Sequence, residues 1–348
     1  MVRYEIDENH IRENIQTVLC RARVPVWAVI KFDGYGVGLC RMAGLLKEAG
    51  VTRFAVSETE DLITLRRNGF VTEEILLLGQ PTKAEELRAA IQHRAVFSVG
   101  SLAFSQKLKT AAWEMGRKAQ GHITVDTGMG RFGFLPSQYE ELQTLYEESR
   151  FLTITGIYSH FYDAFQNEKA TRRQYEIFAN LLDKLHADGI SRGMAHIMSS
   201  AALFKYSDMR LDAVRIGSAF LGRVCGMEAA SHGLHKIGIL KAEVSEVKSL
   251  PRGHHVGYGS DYKLFRDTDV AVIGMGHWAG VPELGLKARL FGLLPHITIN
   301  GKQAPMVCAP GMGHTIADVT GLQIEPGDSA EIDVSPLRVS GSVRREYK

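Results

Sequence analysis

Cysteine is scarce. Only Cys20, Cys40, Cys225 and Cys308 occur among 348 residues, widely scattered. No two form a CxxC pair and none has zinc-ligand spacing, so no disulfide framework and no metal is expected. A marked excess of one sign of charge is also missing. The formal net charge is +2 and no basic block stands out, too little to argue for nucleic acid. No apolar run reaches the ~18 residues that suggest a membrane span. The opening "MVRYEIDENHIRENIQ" lacks the apolar core of a signal peptide. No repeat, low-complexity segment or disordered linker is visible. These absences lead us to expect a soluble, cytoplasmic protein with no nucleic-acid or membrane partner.

What remains is ordinary globular composition, 45% hydrophobic and 23% charged, in a chain long enough for a large and a smaller domain. Eight β-rich runs appear in the first two thirds: "VWAVIKF", "RFAVS", "ILLLG", "AVFSVG", "HITVDT", "ITGIYSH", "MAHIMSS" and "LDAVRIG". Amphipathic stretches such as "ETEDLITLRRNG" and "RRQYEIFANLLDKLHADG" separate them. This alternation predicts a parallel sheet with helical crossovers, and eight units predict a closed (β/α)8 barrel. A doubly wound open sheet is the alternative. Near Leu240 the pattern changes to β runs broken by Gly and Pro, as in "HITINGKQAPMVCAP". The expected fold is α/β: a barrel over residues 1–235 and a mainly β domain over 236–348.

In such a barrel chemistry sits on the loops after the strands. "AVIKFDGYGVG" puts Lys31 at the end of the first strand. A lysine there is costly unless it reaches solvent or is neutralised, and a covalent imine with an aldehyde cofactor would neutralise it. Ser199, Ser200, Gly217 and Ser218, after strands seven and eight, suit a phosphate held by backbone N–H groups. They also suit ordinary turns. Arg215 needs an acceptor, which a ring nitrogen, a carboxylate or a phosphate would supply, with Asp212 as a structural alternative. His160 reads equally as a ring-stacking base or a hydrogen-bonded core histidine. Lysine, phosphate loop and arginine in one barrel mouth suggest pyridoxal phosphate.

The sequence resembles the alanine racemase family across almost its whole length. "AVIKFDGYGVG" looks like that family's lysine motif and "VDTGMGRFGF" is nearly its signature. "GIYSHFYDA", "SSAAL", "AVRIGSAFLG", "GYGSDY" and "APMVCAPGM" follow in family order. The resemblance implies a pyridoxal 5'-phosphate-dependent amino-acid racemase with Lys31 and Tyr262 as two opposed bases. Lys31 would carry the imine. Tyr35, Ser200, Gly217 and Ser218 would hold the phosphate, Arg215 the pyridine nitrogen, and His160 would pack near the ring. Arg131 would support the cofactor's phenolic oxygen, and Met312 would offer its backbone N–H to the substrate carboxylate. Tyr262 and Met312 would reach the partner's site, which implies a head-to-tail homodimer.

Some positions depart from the family pattern. Thr124 stands where many members have a carbamylated lysine, so Arg131 needs another acceptor. "GHWAG" replaces "GYADG", placing His277 and Trp278 near the entrance. Gly313 removes an acid after Met312, and Gly341 removes an aromatic ring. Alanine is the expected substrate, with serine, lysine or ornithine as alternatives. A related barrel decarboxylase and a non-catalytic cofactor-binding protein are remoter readings.

Overall fold

A computed structural model of the chain describes residues 1–147, 150–258, 262–283 and 295–348. They form two compact units, His10–Lys236 and Met1–Asn9 with Ile237–Lys348. The chain opens with β1 (Arg3–Ile6), which belongs to the second unit.

The first unit holds eight parallel strands: β2 (Val26–Val29), β3 (Arg53–Val56), β4 (Glu74–Leu77), β5 (Ala95–Val99), β6 (Ala119–Thr124), β7 (Leu152–Tyr158), β8 (Met194–His196) and β9 (Val214–Ile216). Each of the eight sequence runs supplies one. Their order is β8-β7-β6-β5-β4-β3-β2-β9. A parallel bridge from His196 to Ala213 joins β8 to β9, so the sheet closes into a barrel.

Helices cover it because their apolar residues recur at helical spacing. In Leu39–Glu48 the buried set is Leu39, Met42, Ala43, Leu45 and Leu46. Glu168–Ala187 buries Thr171, Gln174, Phe178, Leu181, Leu182 and Leu185, and Asn167 caps it by accepting from the Ala170 N–H at 3.0 Å. Each fully buried Leu or Phe contributes roughly 1.5–3 kcal/mol.

The barrel interior is filled by large side chains. Trp27 on β2 meets the edge of His122 on β6, with ring centroids 5.3 Å apart. Those strands lie on opposite sides of the closed sheet, so the contact runs through the core. A register shift between Gly121 and His122 sets His122 opposite Gly156. A Cβ at Gly156 would lie 2.7 Å from His122 Nε2, so only glycine leaves room for the imidazole.

The second unit is mainly β. It contains β10 (Gly238–Leu250), β11 (Thr268–Ile273), β12 (His296–Ile299), β13 (Lys302–Pro305), β14 (Thr315–Asp318), β15 (Ser329–Ile332) and β16 (Arg344–Tyr347). The expected first domain began at residue 1, and there the structure differs. β1 pairs antiparallel with β10 and parallel with β16, and Asp7 N–H donates to Ile237 O at 2.7 Å. A four-residue strand followed by a helix reads locally as the start of a β/α unit. Its partners lie more than 200 residues away, where local pattern carries no information.

Candidate active site

The lysine motif folds unusually. Lys31 follows β2, and Phe32, Asp33, Gly34 and Tyr35 then take φ values of 52°, 54°, 61° and 58°. These four residues make a left-handed turn, which costs non-glycine residues roughly 1–2 kcal/mol each. Hydrogen bonds hold it. Gly34 N–H donates to Ile30 O at 3.1 Å, Gly38 N–H to Asp33 O at 2.9 Å, and Leu39 N–H to Asp33 Oδ1 at 2.9 Å. The turn aims Lys31 and Tyr35 into a cavity of about 580 Å³.

Arg131, His160, Ser200, Arg215, Gly217 and Ser218 line the same cavity. Eight of the ten residues to which the family resemblance gives a role therefore line it, and Ser199 does too. Burial lowers the Lys31 pKa, and the positive charge of Arg131 lowers it further. Burial also pushes the Tyr35 hydroxyl up to about 12, so it stays protonated.

Part of the cavity lining is a small polar cradle. Ser200 Oγ accepts from the backbone N–H groups of Gly217 and Ala219, each at 3.3 Å. A Cβ at Gly217 would sit 2.6 Å from Tyr35 Oη, so a side chain there would fill the cradle.

Another part of the lining is built on Arg215, which is almost fully buried. Its Nη2 donates to Ser159 O at 2.6 Å and meets His160 Nδ1 at 3.1 Å. Its Nη1 meets His196 Nδ1 at 2.6 Å, and His196 Nε2 meets His122 Nδ1 at 2.9 Å. An arginine only donates, which fixes every proton in this chain. His196 and His160 accept at Nδ1 and carry their hydrogens on Nε2. His196 therefore donates to His122 Nδ1. Burial, reinforced by Arg215, lowers His122 and His160 to about 3 and His196 well below its ordinary value. All three are neutral at pH 7. Burial brings Arg215 down to about 10, leaving it a cation. Its guanidinium also lies 4.5 Å from the Tyr158 ring centroid, a favourable cation–π distance.

The "DTGMGRFGF" loop folds around Asp126. Asp126 Oδ1 accepts from the N–H groups of Gly128, Met129 and Gly130 at 2.8, 2.8 and 3.1 Å. Burial alone would raise this carboxyl, but those donors hold it below its ordinary value. At Gly133, with φ of 124°, a Cβ would lie 2.7 Å from Thr124 O and Asp126 N. Thr124 also lines the cavity, and its buried Oγ1 has no hydrogen-bond partner among the described residues.

Several residues here escaped the sequence reading. Gln174 looks like one more core position of its helix. Its Nε2 in fact donates to Thr127 Oγ1 at 3.1 Å and His160 O at 3.2 Å, tying two cavity loops together. His122 and His196 sit in strand runs, where nothing in the sequence marks His196 as a partner of Arg215 or His122 as the next link behind it.

Tyr262 and Met312 belong to the second unit and are not among the residues lining this cavity. Tyr262 O accepts from Val256 N–H at 2.9 Å, and residues 259–261 of "GYGSDY" lie outside the described residues. Met312 is 67% exposed. Its carbonyl accepts from Trp278 N–H at 3.3 Å, and Gly311 O accepts from His277 N–H at 3.0 Å. The departures His277, Trp278 and Gly313 are thus neighbours on two backbone-paired loops.

The profile of the alanine racemase N-terminal domain matches residues 6–224, and that of the alanine racemase C-terminal domain matches residues 238–337. The chain belongs to the alanine racemase family. It is an amino-acid racemase of that family. It is 32% identical over 323 residues to the alanine racemase of Desulforamulus reducens, covering 90% of this chain and 85% of that one. Identity to the Methylacidiphilum infernorum alanine racemase is also 32%, over 332 residues, covering 94% and 81%. Among solved structures, the Streptomyces coelicolor alanine racemase superposes with a TM-score of 0.89 at 26% identity, over 99% of this chain and 97% of that one. The alanine racemase of D-cycloserine-producing Streptomyces lavendulae gives 0.88 at 26% identity, over 100% and 97%. The family likeness spans both units. Among the described residues no helix is long and apolar enough to cross a membrane.

Proposed function

We propose that this racemase interconverts L- and D-alanine with pyridoxal 5'-phosphate bound at Lys31. The observation that carries this is the convergence of Lys31, with its pKa lowered, and Arg215 in one cavity with the Tyr35–Ser200–Gly217 cradle. The residues fit the cofactor. The cradle suits a phosphate, with Tyr35, Ser200, Ser218 and the Gly217 N–H as donors. Arg215 suits an unprotonated ring nitrogen, because a guanidinium offers hydrogens and accepts none. Arg131 would meet the ring oxygen, and His160 would pack beside the ring.

When bound, the cofactor supplies an aldehyde that links to amines and a ring that spreads the charge left by a departing Cα proton. The chain's own groups do the rest. Lys31 Nζ takes or returns that proton on one face. Tyr262 Oη does so on the other, supplied by the partner in a head-to-tail homodimer, with the Met312 N–H on the substrate carboxylate. Proton transfer needs bases tuned towards neutral, and burial with Arg131 moves Lys31 that way. A cytoplasmic setting is part of the proposal.

The donor-only Arg215, backed by neutral histidines, opposes ring-nitrogen protonation. That speaks for racemisation over the decarboxylase reading. A second substrate reading, serine or a longer amino acid, draws support from Gly341, where an added Cβ would meet nothing within 4 Å.

The test is incubation of the purified holoprotein with L-alanine, L-serine, L-lysine and L-ornithine in D₂O. Deuterium entering Cα with loss of optical rotation, fastest for alanine, is expected. Absence of both for every amino acid overturns the proposal, and a faster rate for another amino acid overturns the choice of alanine.

A further inference from the structure

The geometry points to a divalent-metal site, suited to zinc, formed by His10, Glu13 and His235. The ligand atoms of the three all lie within 4.8 Å of one another. His10 and Glu13 are three residues apart on the helix Glu8–Ala22, so they share a face. His235 comes from the far end of the same unit, 222 positions after Glu13. That distance in sequence is why spacing gave no hint of a metal.

Two features prepare the site. The first is tautomer control. His10 Nδ1 lies 3.1 Å from the backbone carbonyl of Lys236. A carbonyl only accepts, so neutral His10 carries its hydrogen on Nδ1 and its lone pair on Nε2. A backbone carbonyl on the distal ring nitrogen is how proteins orient metal-binding histidines. The second is rigidity. His235 N–H donates to Asn14 Oδ1 and His235 O accepts from Asn14 Nδ2, both at 2.7 Å. Asn14 is fully buried and lies one residue after Glu13. One helix thus presents two ligands and clamps the backbone of the third.

The His10 and His235 ring centroids lie 5.0 Å apart with planes 21° apart, so the in-plane lone pairs of the two rings must swing towards each other to share an ion. His235 Nε2 is 3.6 Å from Glu13 Oε2. Two nitrogens and one carboxylate oxygen are a zinc ligand set with a position left for water, with bonds of about 2.0–2.2 Å. Closing onto an ion asks the side chains to move by about an ångström, and Glu13 is exposed enough to do so. A filled site would tie the first turns of the helix Glu8–Ala22 to the segment leaving the barrel.

The test is calorimetric titration of chelator-treated holoprotein with zinc chloride, with cobalt chloride as a spectroscopic probe. One equivalent of zinc with micromolar affinity is expected, and cobalt should give the visible bands of a tetrahedral site. His10→Ala and His235→Ala should each weaken zinc binding at least tenfold, and Glu13→Lys should abolish it. Glu13→His should bind as tightly as the parent or more so. Should His235→Ala fail to fold, His10→Ala and the two Glu13 variants carry the test. No zinc uptake by the parent up to millimolar metal overturns the site. So does equal affinity in parent, His10→Ala and Glu13→Lys, since the histidine–glutamate pair is then only an ion pair.

Discussion

Arg215 Nη1 and His196 Nδ1 are 2.6 Å apart in the barrel core, and the arginine can only be the donor. His196 therefore acts as a positioning acceptor for the guanidinium. His196→Leu should leave Nη1 with only the longer bond to the backbone carbonyl of residue 196, at 3.2 Å. A stability loss of roughly 1–3 kcal/mol follows from a poorly satisfied buried charge. His196→Asn, whose side-chain oxygen still accepts, should recover part of it. Urea midpoints of the two variants, read beside kcat, check this. Equal loss in both would show that hydrogen-bond acceptance is not what His196 provides.

Acid should undo the core before it undoes the surface. His122 and His160 have folded pKa values of about 3 against 6.5 ordinarily, chiefly through burial. Above pH 6.5 they are neutral folded or unfolded and cost nothing. As pH falls below 6.5 the unfolded chain takes up protons that the folded chain refuses. Stability is then lost down to about pH 3, at up to ~1.4 kcal/mol per pH unit for each histidine. Denaturant midpoints between pH 7 and 4 measure the slope. His122→Asn should flatten it, and an unchanged slope would refute the assignment.

Arg131 should set the proton affinity of Lys31. Burial leads in lowering that pKa and the Arg131 charge adds to it. Arg131→Gln removes the charge, so the Lys31 pKa rises towards its ordinary 10.5. The readout is the pH dependence of pyridoxal phosphate attachment, trapped with borohydride and mapped to a peptide. Label should fall on Lys31, and the variant's curve should move to higher pH. Label on another lysine would remove Lys31 from its proposed role.

Gly217→Ala should crowd Tyr35. The new methyl would lie 2.6 Å from Oη, 2.8 Å from Cε2 and 3.0 Å from Cζ. Overpacking of this kind costs roughly 1–3 kcal/mol. Weaker pyridoxal phosphate binding is expected, with partial recovery when Tyr35→Phe removes the hydroxyl. Fluorescence titration of apoprotein with the cofactor reads both variants, and no recovery would mean the ring, not the hydroxyl, sets the limit.

Losing one base should break the symmetry of the reaction. With Tyr262→Phe, cofactor absorbance should persist while Cα exchange slows far more from one enantiomer than from the other. Separate initial rates for L- and D-alanine decide this, and equal slowing would dismiss the two-base reading.

Most of the fold was legible in local signals. Each barrel strand is an apolar run bounded by turn residues, and each crossover carries a helical stripe, so eight units were countable. Lys31, Arg215 and the Ser200–Gly217–Ser218 loop stood out because such residues are costly or odd at strand ends. β1 was misplaced because pairing with β10 and β16 is decided across the whole chain. His122, His196 and Gln174 were missed for a related reason. Each looks like an ordinary element residue until the barrel closes and sets it against Arg215 or a neighbouring loop. The conformation of "KFDGYG" was also hidden, since only two of its residues are glycine and the others resist positive φ.

That turn has a chemical corollary. From Phe32 to Tyr35 the backbone has the handedness that mirror-image amino acids favour. A semisynthetic chain with D-residues at 32, 33 and 35 would find there its relaxed geometry, while L-residues hold it under tension. The loop after Lys31 is thus a cocked segment, wound against its own chirality and kept so by the Asp33 bonds. An amino-acid racemase, whose task is to exchange the two hands, carries one residue after Lys31 a short length of chain written in the opposite hand.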